Sequence, residues 1–348
     1  MKILLLARYA ALGASSRVRF YQYLPFLRAN GIHLDVAPLF DDDYLRALYA
    51  GNKPSLTSVA RAYFSRLTAL LRLAHYDLIW LETQLFPWLP ARFENFLPRP
   101  YVADYDDAVF HRYDQHSSRV VRAVLGKSID SVMRHARIVI AGNDYLAARA
   151  RQARAVQVEI LPSVVDGLRY QPAVAPPQGN FTLGWIGSPV TAPFLTLVKP
   201  ALEEARKQAG VQITLVGGSL PGLEAVTVPW SESGEISAIQ GFHVGIMPLP
   251  DAPFERGKCG YKLIQYMACG LPVIASPVGV NRQIIRHGET GFLAESHAEW
   301  LDAILTLKNS PALRQKMGRA GRLRFEAEYS LQVTAPRLLA LLQQAAQI

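Results

Sequence analysis

The stretch Pro253–Ser276, PFERGKCGYKLIQYMACGLPVIAS, constrains the fold more tightly than any other part of the chain. A loop bearing Arg256, Gly257, Lys258 and Gly260 passes into an apolar run with helical spacing. The run stops at Gly270-Leu271-Pro272, and Val273-Ile274-Ala275 resumes as a strand. Loop, helix, turn and strand in that order make half of a doubly wound α/β unit. With a helix begun near Cys259, Lys258, Lys262 and Gln265 project from one side of its first turns, while Tyr261, Leu263, Ile264 and Met267 pack inward. The positive end of the helix dipole lies there, so a diphosphate would meet backbone donors and two ammonium groups. Gly257 and Gly260 bracket Lys258 without bulk, as a closely approached backbone requires. The competing reading is two solvated lysines on a surface helix.

Short buried strands recur on both sides of this stretch. Residues 1–7, 32–38, 78–81, 101–103, 138–141 and 156–162 form one set, and 181–186, 211–216, 226–228, 244–249 and 273–275 a second. Near-continuous apolar runs of this kind belong to parallel sheets covered on both faces. Pro172, Pro176, Pro177 and Gly179 crowd the interval between the sets, which places a boundary there: a first domain over 1–170 and a second over 171–327. Residues 118–136 read as one helix, and the chain closes with two helical segments over 313–348, Pro336 marking a kink.

With 50% hydrophobic and 19% charged residues the chain is globular. A formal charge of +9 points to an anionic partner, and the lack of zinc-finger spacing or an RNA-binding aromatic signature argues against nucleic acid. Met1 to Ala7 is too short before Arg8 for a secretory segment, and nowhere do eighteen apolar residues run together. Cys259 and Cys269 fall at opposite ends of one helix, about 15 Å apart and out of disulfide reach. They read as thiols of a cytoplasmic protein.

Several polar groups fall at strand ends. After the first strand, Gly13, Ser15 and Ser16 suit a ligand and Arg17 or Arg19 its charge; a capped helix start with solvent-facing arginines is the other reading. Glu82-Thr83-Gln84 follows the third strand. Asp104, Asp106 and Asp107 follow the fourth, with His111 a helical turn on, and such crowded carboxylates need cations, hydroxyls or a cap. Asn143 ends the fifth strand and Trp230 stands past a short strand of the second set. From Tyr44 to Tyr76 no acid occurs among Arg46, Lys53, Arg61, Arg66 and Arg72. A helix from Pro54 gathers Val59, Tyr63, Leu67, Leu70, Leu71 and Ala74 on one face, with Arg66 breaking the stripe and Arg61, Ser65, Thr68 and Arg72 opposite. It either packs on its own domain or lies on an anionic membrane.

The run GKCGYKLIQYMACGLPVIASPVGVN, continued by Gly288 to Leu293, resembles the donor-site signature of glycosyltransferase family 4, retaining enzymes of the GT-B fold. The opening Ser16-Arg17-Val18-Arg19-Phe20-Tyr21-Gln22-Tyr23-Leu24-Pro25 is similar to that of the same enzymes. The resemblance implies two Rossmann-like, doubly wound domains facing a cleft, with a last helix at about 328–348 packing back on the first. It implies a nucleotide-sugar donor, UDP- or GDP-linked, a glycan or lipid-linked acceptor of cell-surface polysaccharide synthesis, and retention without a metal. Ser15, Ser16, Arg17, Gly187, Ser188, Lys258, Gly260, Tyr261, Lys262 and Gln265 become donor-site residues. Lys262 and Arg256 offset the leaving charge, since no basic residue stands in Gly187 to Thr196. Asp106-Asp107 stands where relatives carry a His-Asp pair, to hold an acceptor hydroxyl, with His111 the alternative. The family's two donor-site glutamates fall on Gly257 and Gln265, with Glu255 a nearby substitute. The Asp104 to Asp107 run also resembles the metal motif of the GT-A class; the lysines, which already carry the diphosphate charge, argue against that. Contact with the inner face of the membrane is the peripheral partner that the resemblance adds.

Overall fold

The computed structural model describes every residue except Lys53, Pro176 and Ile348, with Tyr49 described by its backbone alone. Lys53 and Pro176, singled out above, therefore lie outside the described residues. The chain forms two compact units. The first comprises Met1–Val164, Gly257–Cys259 and Thr334–Ile348, and the second Val165–Arg256 and Gly260–Val333. The division falls at Val164, ahead of the proline- and glycine-rich stretch. Val165 bridges to Ser330, and the Tyr170 carbonyl accepts from Arg322, so residues from 165 on are held by the second unit.

Six parallel strands build the sheet of the first unit: β1 (Lys2–Leu6), β2 (His33–Val36), β3 (Leu78–Glu82), β4 (Tyr101–Tyr105), β5 (Ile138–Ala141) and β6 (Val158–Ile160), in the order β2-β1-β3-β4-β5-β6. All residues of β3, β4 and β5 are buried, which explains the apolar runs that lead each of them, with Glu82 and Asp104 the buried acids of β3 and β4. The strand order reverses between β1 and β3, where Leu5 lies in register with Trp80. In doubly wound sheets the crevice at such a reversal, beyond the carboxyl ends of the strands, is where ligands bind. Residues 118–136 are two helices, Arg119–Leu125 and Ser128–His135, broken at Gly126 and Lys127. From the terminal helix Leu331–Gln347, Thr334 reaches the Tyr23 hydroxyl at 3.1 Å and Arg337 donates to the Ile160 carbonyl at 3.0 Å.

The helix Leu56–Leu70 is turned differently from the expected stripe. Its inner face carries Val59, Tyr63, Arg66 and Leu70, while Phe64, Leu67 and Leu71 are exposed at 68%, 44% and 85%. Arg66 is the cause. Its guanidinium is buried and donates to the Ala7 carbonyl just past β1 at 2.5 Å, with the Glu82 charge favouring it from beside. Burial still lowers its pKa to about 10.

In the second unit β7 (Thr182–Ile186), β8 (Gln212–Val216), β9 (Val226–Val228), β10 (Val244–Met247), β11 (Val273–Ala275) and β12 (Gly291–Leu293) are again all parallel, in the order β12-β11-β10-β7-β8-β9. This is the dinucleotide-binding order, with its reversal between β7 and β10. The helix Tyr261–Ala268 follows β10 and buries Leu263, Ile264, Tyr266 and Met267. Gly245 of β10 makes room for the Tyr266 ring, since a Cβ there would lie 2.3 Å from it. The Tyr266 hydroxyl then accepts from the Ile186 N–H of β7 at 3.0 Å, tying helix to strand. At the helix end Leu271 N–H bonds the Tyr266 carbonyl and Gly270 N–H the Met267 carbonyl, both at 3.0 Å, with Gly270 at φ +71. That Schellman arrangement stops the helix at Ala268, ahead of Pro272.

Candidate functional site

The carboxyl ends of β1, β3, β4 and β5 concentrate the charge of the first unit. Glu82, 4% exposed, accepts from the Arg8 N–H and the Ser16 hydroxyl, each at 2.6 Å, and from Ser15 at 3.5 Å. Burial nevertheless pushes its carboxyl up. Ser16 is fully buried and also accepts from the Tyr9 N–H, so it braces the β1 turn against β3 and is not open to a ligand. Arg19 is likewise enclosed. Its Nε donates to Asp104 Oδ1 at 2.7 Å, while Trp80 Nε1 donates to Asp104 Oδ2 at 3.1 Å. Arg17, in the last turn of the short helix Ala14–Arg19, is half-buried.

Asp106 and Asp107, one and two residues beyond β4, are half-buried. Burial first, then the charge of Asp107, drives the Asp106 carboxyl up to about 8; Arg19 pulls the other way without prevailing. Asp104 has the cation, and Asp106 keeps its proton near neutrality. His111 is held through both ring nitrogens, by Asp114 at 2.8 Å and the Tyr145 hydroxyl at 2.9 Å. Asn143 caps the helix Asp144–Gln152 through Oδ1 and donates from Nδ2 to the Gly257 and Lys258 carbonyls at 3.0 and 3.1 Å. A Cβ on Gly257 would meet Ala108 Cβ at 2.5 Å, and one on Gly142 would meet Asp106 Cα at 3.3 Å. The structure thus gathers Asp106, Asn143, Gly257 and Lys258, far apart in sequence, in one place.

One strained feature went unread in the sequence. Thr83 has φ +62, an outlier for a β-branched residue, and Gln84 N–H bonds the Glu82 carbonyl across it at 2.8 Å. The Tyr105 hydroxyl holds the turn by donating to the Thr83 carbonyl at 2.8 Å. Gln84 Nε2 donates to Tyr113 at 2.6 Å, while its Oε1 is buried without a protein partner. Backbone strain beside an unmet acceptor is a mark of functional strand ends. Position at the end of a strand was the one signal available for it beforehand.

In the second unit the ends of β7 and β8 close on each other. A Cβ on Gly217, at φ +78, would lie 2.3 Å from the Gly187 carbonyl, and one on Gly187 would strike the Trp185 ring at 2.4 Å. Ser188 N–H is held by the Thr191 hydroxyl at 3.3 Å. The helix following β10 starts at Tyr261 because Gly260, at φ +67, is its N-cap; a Cβ there would meet Ile284 Cδ1 at 2.4 Å. Lys258 therefore precedes the helix and belongs to the first unit, whereas Lys262 sits in the first turn with Nζ 5.6 Å from the Trp185 ring. Tyr261 beside it is half-buried. Arg256 is exposed and paired through both ends of its guanidinium with Asp251, at 2.5 and 3.0 Å. Glu255 shares its short helix.

Gln265 faces inward. It is 3% exposed and donates from Nε2 to the Tyr170 hydroxyl at 3.1 Å, which donates in turn to Glu235 Oε1 at 2.5 Å. Glu235 Oε2 accepts from Trp230 Nε1 at 3.0 Å, leaving the indole 38% exposed. Burial lifts the Tyr170 hydroxyl far above its ordinary range, so it stays a donor. A glutamate at 265 would make two carboxylates compete for that one proton, which accounts for the amide here.

Residues 181–310 match the family described as Glycosyl transferases group 1. D-inositol 3-phosphate glycosyltransferase of Arthrobacter sp. is 29% identical over 48% of this chain and 45% of its own length. The enzyme of that name from Pseudarthrobacter chlorophenolicus is 43% identical over 19% of this chain and 16% of its own. The matched stretch thus spans less than half of these curated relatives. Sucrose-phosphate synthase from Thermosynechococcus elongatus superposes with a TM-score of 0.73 at 18% identity, over 99% of this chain and 98% of that one. Anabaena HepE in complex with UDP-glucose gives 0.73 at 18%, over 99% and 100%. The fold is that of GT-B glycosyltransferases, and the match to glycosyl transferases group 1 is confined to residues 181–310.

Proposed function

We propose that the protein moves a sugar from a UDP- or GDP-linked donor to a hydroxyl of a glycan or lipid-linked acceptor in cell-surface polysaccharide synthesis, on the cytoplasmic side and with retention of configuration. The observation that carries this reading is the second unit's strand-order reversal. There the Gly187 and Gly217 backbones lie bare at the ends of β7 and β8, and the helix after β10 opens with Gly260 and Lys262, within the 181–310 match. Bare backbone at a strand end beside a positive helix terminus suits a diphosphate. As the sugar–phosphate bond breaks, negative charge grows on the departing nucleoside diphosphate, and the Lys262 ammonium and the helix dipole offset it. Trp230, oriented by Glu235, offers a flat apolar surface to the nucleobase.

On the acceptor side Asp106, protonated near neutrality, both donates and accepts, and so can orient a hydroxyl beside Asp107. In this reading no side chain serves as nucleophile and no metal is needed. A panel of UDP- and GDP-sugars screened by thermal shift identifies the donor, since a ligand that binds the folded chain raises its melting temperature. Nucleotide release is then measured with and without chelator. Lys262→Ala lowers kcat about 10²-fold, the scale for removing one transition-state contact. Undiminished turnover in that variant would refute the assignment, and loss of activity in chelator, restored by Mg²⁺, would refute the metal-free reading. The inward turn of Gln265 favours a second reading, a non-catalytic nucleotide-sugar-binding partner of a glycan assembly complex. Donor binding without nucleotide release in any acceptor extract would favour it.

A further inference from the structure

Arg8 stands two residues past β1, at the strand-order reversal of the first unit, and is half-buried. Its Nε donates to the Tyr9 hydroxyl at 3.1 Å and its guanidinium lies 5.4 Å from the Tyr9 ring centroid, so the side chain is oriented. Neither terminal nitrogen has a hydrogen bond or ion pair among the described residues. Glu82, the nearest acid, takes the Arg8 backbone N–H together with Ser15 and Ser16 rather than the guanidinium. A second cation shares the field of Arg8. Arg112, exposed on the helix His111–Asp114, is held below its ordinary pKa by loss of hydration first and the Arg8 charge second, against the pull of Tyr9 and Asp107. Two guanidinium groups within reach of each other repel, and an anion bound beside them relieves that repulsion.

Tyr113 lies in the field of both arginines. It is 4% exposed and accepts from Gln84 Nε2 at 2.6 Å and from the Trp88 N–H at 3.1 Å. Those bonds pin the loop 83–88, whose end residues Thr83 and Trp88 have φ +62 and φ +66. Trp88 is thereby held 52% exposed, its ring edge-on to Tyr113 at 5.3 Å and to His116 at 5.7 Å. A β-branched and an aromatic residue both left-handed in one loop are outliers of the kind that functional sites retain. A pinned, exposed indole offers a flat apolar face to a sugar ring, and a guanidinium offers two parallel donors to an oxyanion. We infer that the first unit takes an anionic glycan as acceptor, with the carboxylate or phosphate of one sugar on Arg8, Arg112 beside it, and a sugar ring on Trp88. The inference deepens the acceptor reading proposed above and rests on it for the role of the bound glycan, though not for the binding itself.

The test is calorimetric titration of the full chain with glucuronate, glucose 6-phosphate and glucose, repeated with saturating UDP or GDP. At least one of the two anions is expected to bind about tenfold or more tightly than glucose, and less so in high salt; tighter glucuronate identifies a carboxylate, tighter glucose 6-phosphate a phosphate. Arg8→Gln removes about tenfold or more of that affinity, and Arg8→Lys removes less, because the ammonium keeps the charge without the planar fork. Arg112→Gln, at an exposed side chain, lowers the affinity without moving the melting temperature, and Trp88→Ala lowers it for the anions and glucose alike. Binding of neither anion above the level of glucose overturns the inference, as does anion binding unchanged in both Arg8→Gln and Arg112→Gln. Anion binding abolished by Lys262→Ala, or by UDP or GDP, overturns it as well, since the anion would then occupy the diphosphate site. A chain that binds no nucleotide-sugar loses the transferase reading and leaves Arg8-dependent anion binding standing, whereas failure of the anion titration leaves donor binding and nucleotide release standing.

Discussion

Arg19→Met separates a ligand-binding arginine from one that holds the first unit together. In the native chain its guanidinium is 2% exposed and lies 2.7 Å from Asp104, which is 1% exposed. Removing the cation leaves a buried carboxylate with the Trp80 N–H as its remaining donor, and stranding one partner of a buried pair costs about 3–5 kcal/mol. Arg19 NH2 has no hydrogen-bond partner, so its loss relieves one unmet donor and the lower end, about 3 kcal/mol, applies. For a unit of this size that lowers the melting temperature by roughly 6–12 °C. Adding Asp104→Asn keeps an acceptor for Trp80 while deleting the charge, and should restore most of the loss. The sign of the pH effect follows from Asp104. Burial already holds its folded pKa above the unfolded value, and without Arg19 it rises further, so the folded variant binds the proton more tightly. The variant's deficit is therefore smallest near pH 4 and grows as pH rises through that folded pKa. Calorimetry at pH 5 and pH 8 measures both. A melting temperature within about 2 °C of the parent at pH 8 would show the pair to be dispensable and the reasoning wrong.

Three further outcomes follow from the site. Asp106 is raised to about 8, so in the native chain stability declines as pH climbs from about 4 and levels off above about 8; Asp106→Asn should flatten the urea-midpoint profile between pH 5 and 8, and an unchanged slope would remove the protonated-carboxyl role. Gly257→Ala forces its Cβ against Ala108 and costs about 1–3 kcal/mol, with Ala108→Gly in the same chain relieving it; a single variant as stable as the parent contradicts that packing. Gln265→Glu places a second carboxylate on Tyr170 and should lower stability by about 1–3 kcal/mol without a gain in turnover, so a faster enzyme would show that residue 265 reaches the donor.

The parallel α/β architecture was legible because β3, β4 and β5 are buried on both faces, so that Leu78–Leu81, Tyr101–Ala103 and Ile138–Ala141 within them are written as apolar runs. Gly270 before Pro272 likewise announced a helix stop that its backbone hydrogen bonds realise. The start of that helix was not legible. Lys258-Cys259-Gly260 has nothing in composition to say that Gly260 turns left-handed, and that one dihedral moves Lys258 off the helix. Pairings over long separations were equally hidden. Arg19 with Asp104 spans 85 residues, Ser16 with Glu82 spans 66, and Gln265 with Tyr170 spans 95. Each turns a residue that reads as available to a ligand into one committed inside the fold. Arg66 shows the same limit from the other direction: helical periodicity marks it as a fault in an apolar stripe, yet its bond to the Ala7 carbonyl past β1, which the Leu39 N–H also reaches, holds it on the inner face while Leu67 and Leu71 lie outward.

The buried charges of the first unit also explain why two neighbouring aspartates can hold different states at one pH. Asp104 and Asp106 both end β4 or follow it, and burial raises both. Arg19 and Trp80 reach Asp104 directly, so a cation and a donor are spent on it; Asp106 receives the field of Arg19 at longer range, opposed by Asp107, Glu82 and Asp104. A fold selected for stability alone would replace such a cluster with apolar side chains at no loss. Its presence at the end of β4, one strand from the strand-order reversal and next to the strained Thr83 turn, is intelligible if a neutral carboxyl is wanted there, one able to hold a hydroxyl from both sides while Asp104 keeps the arginine away.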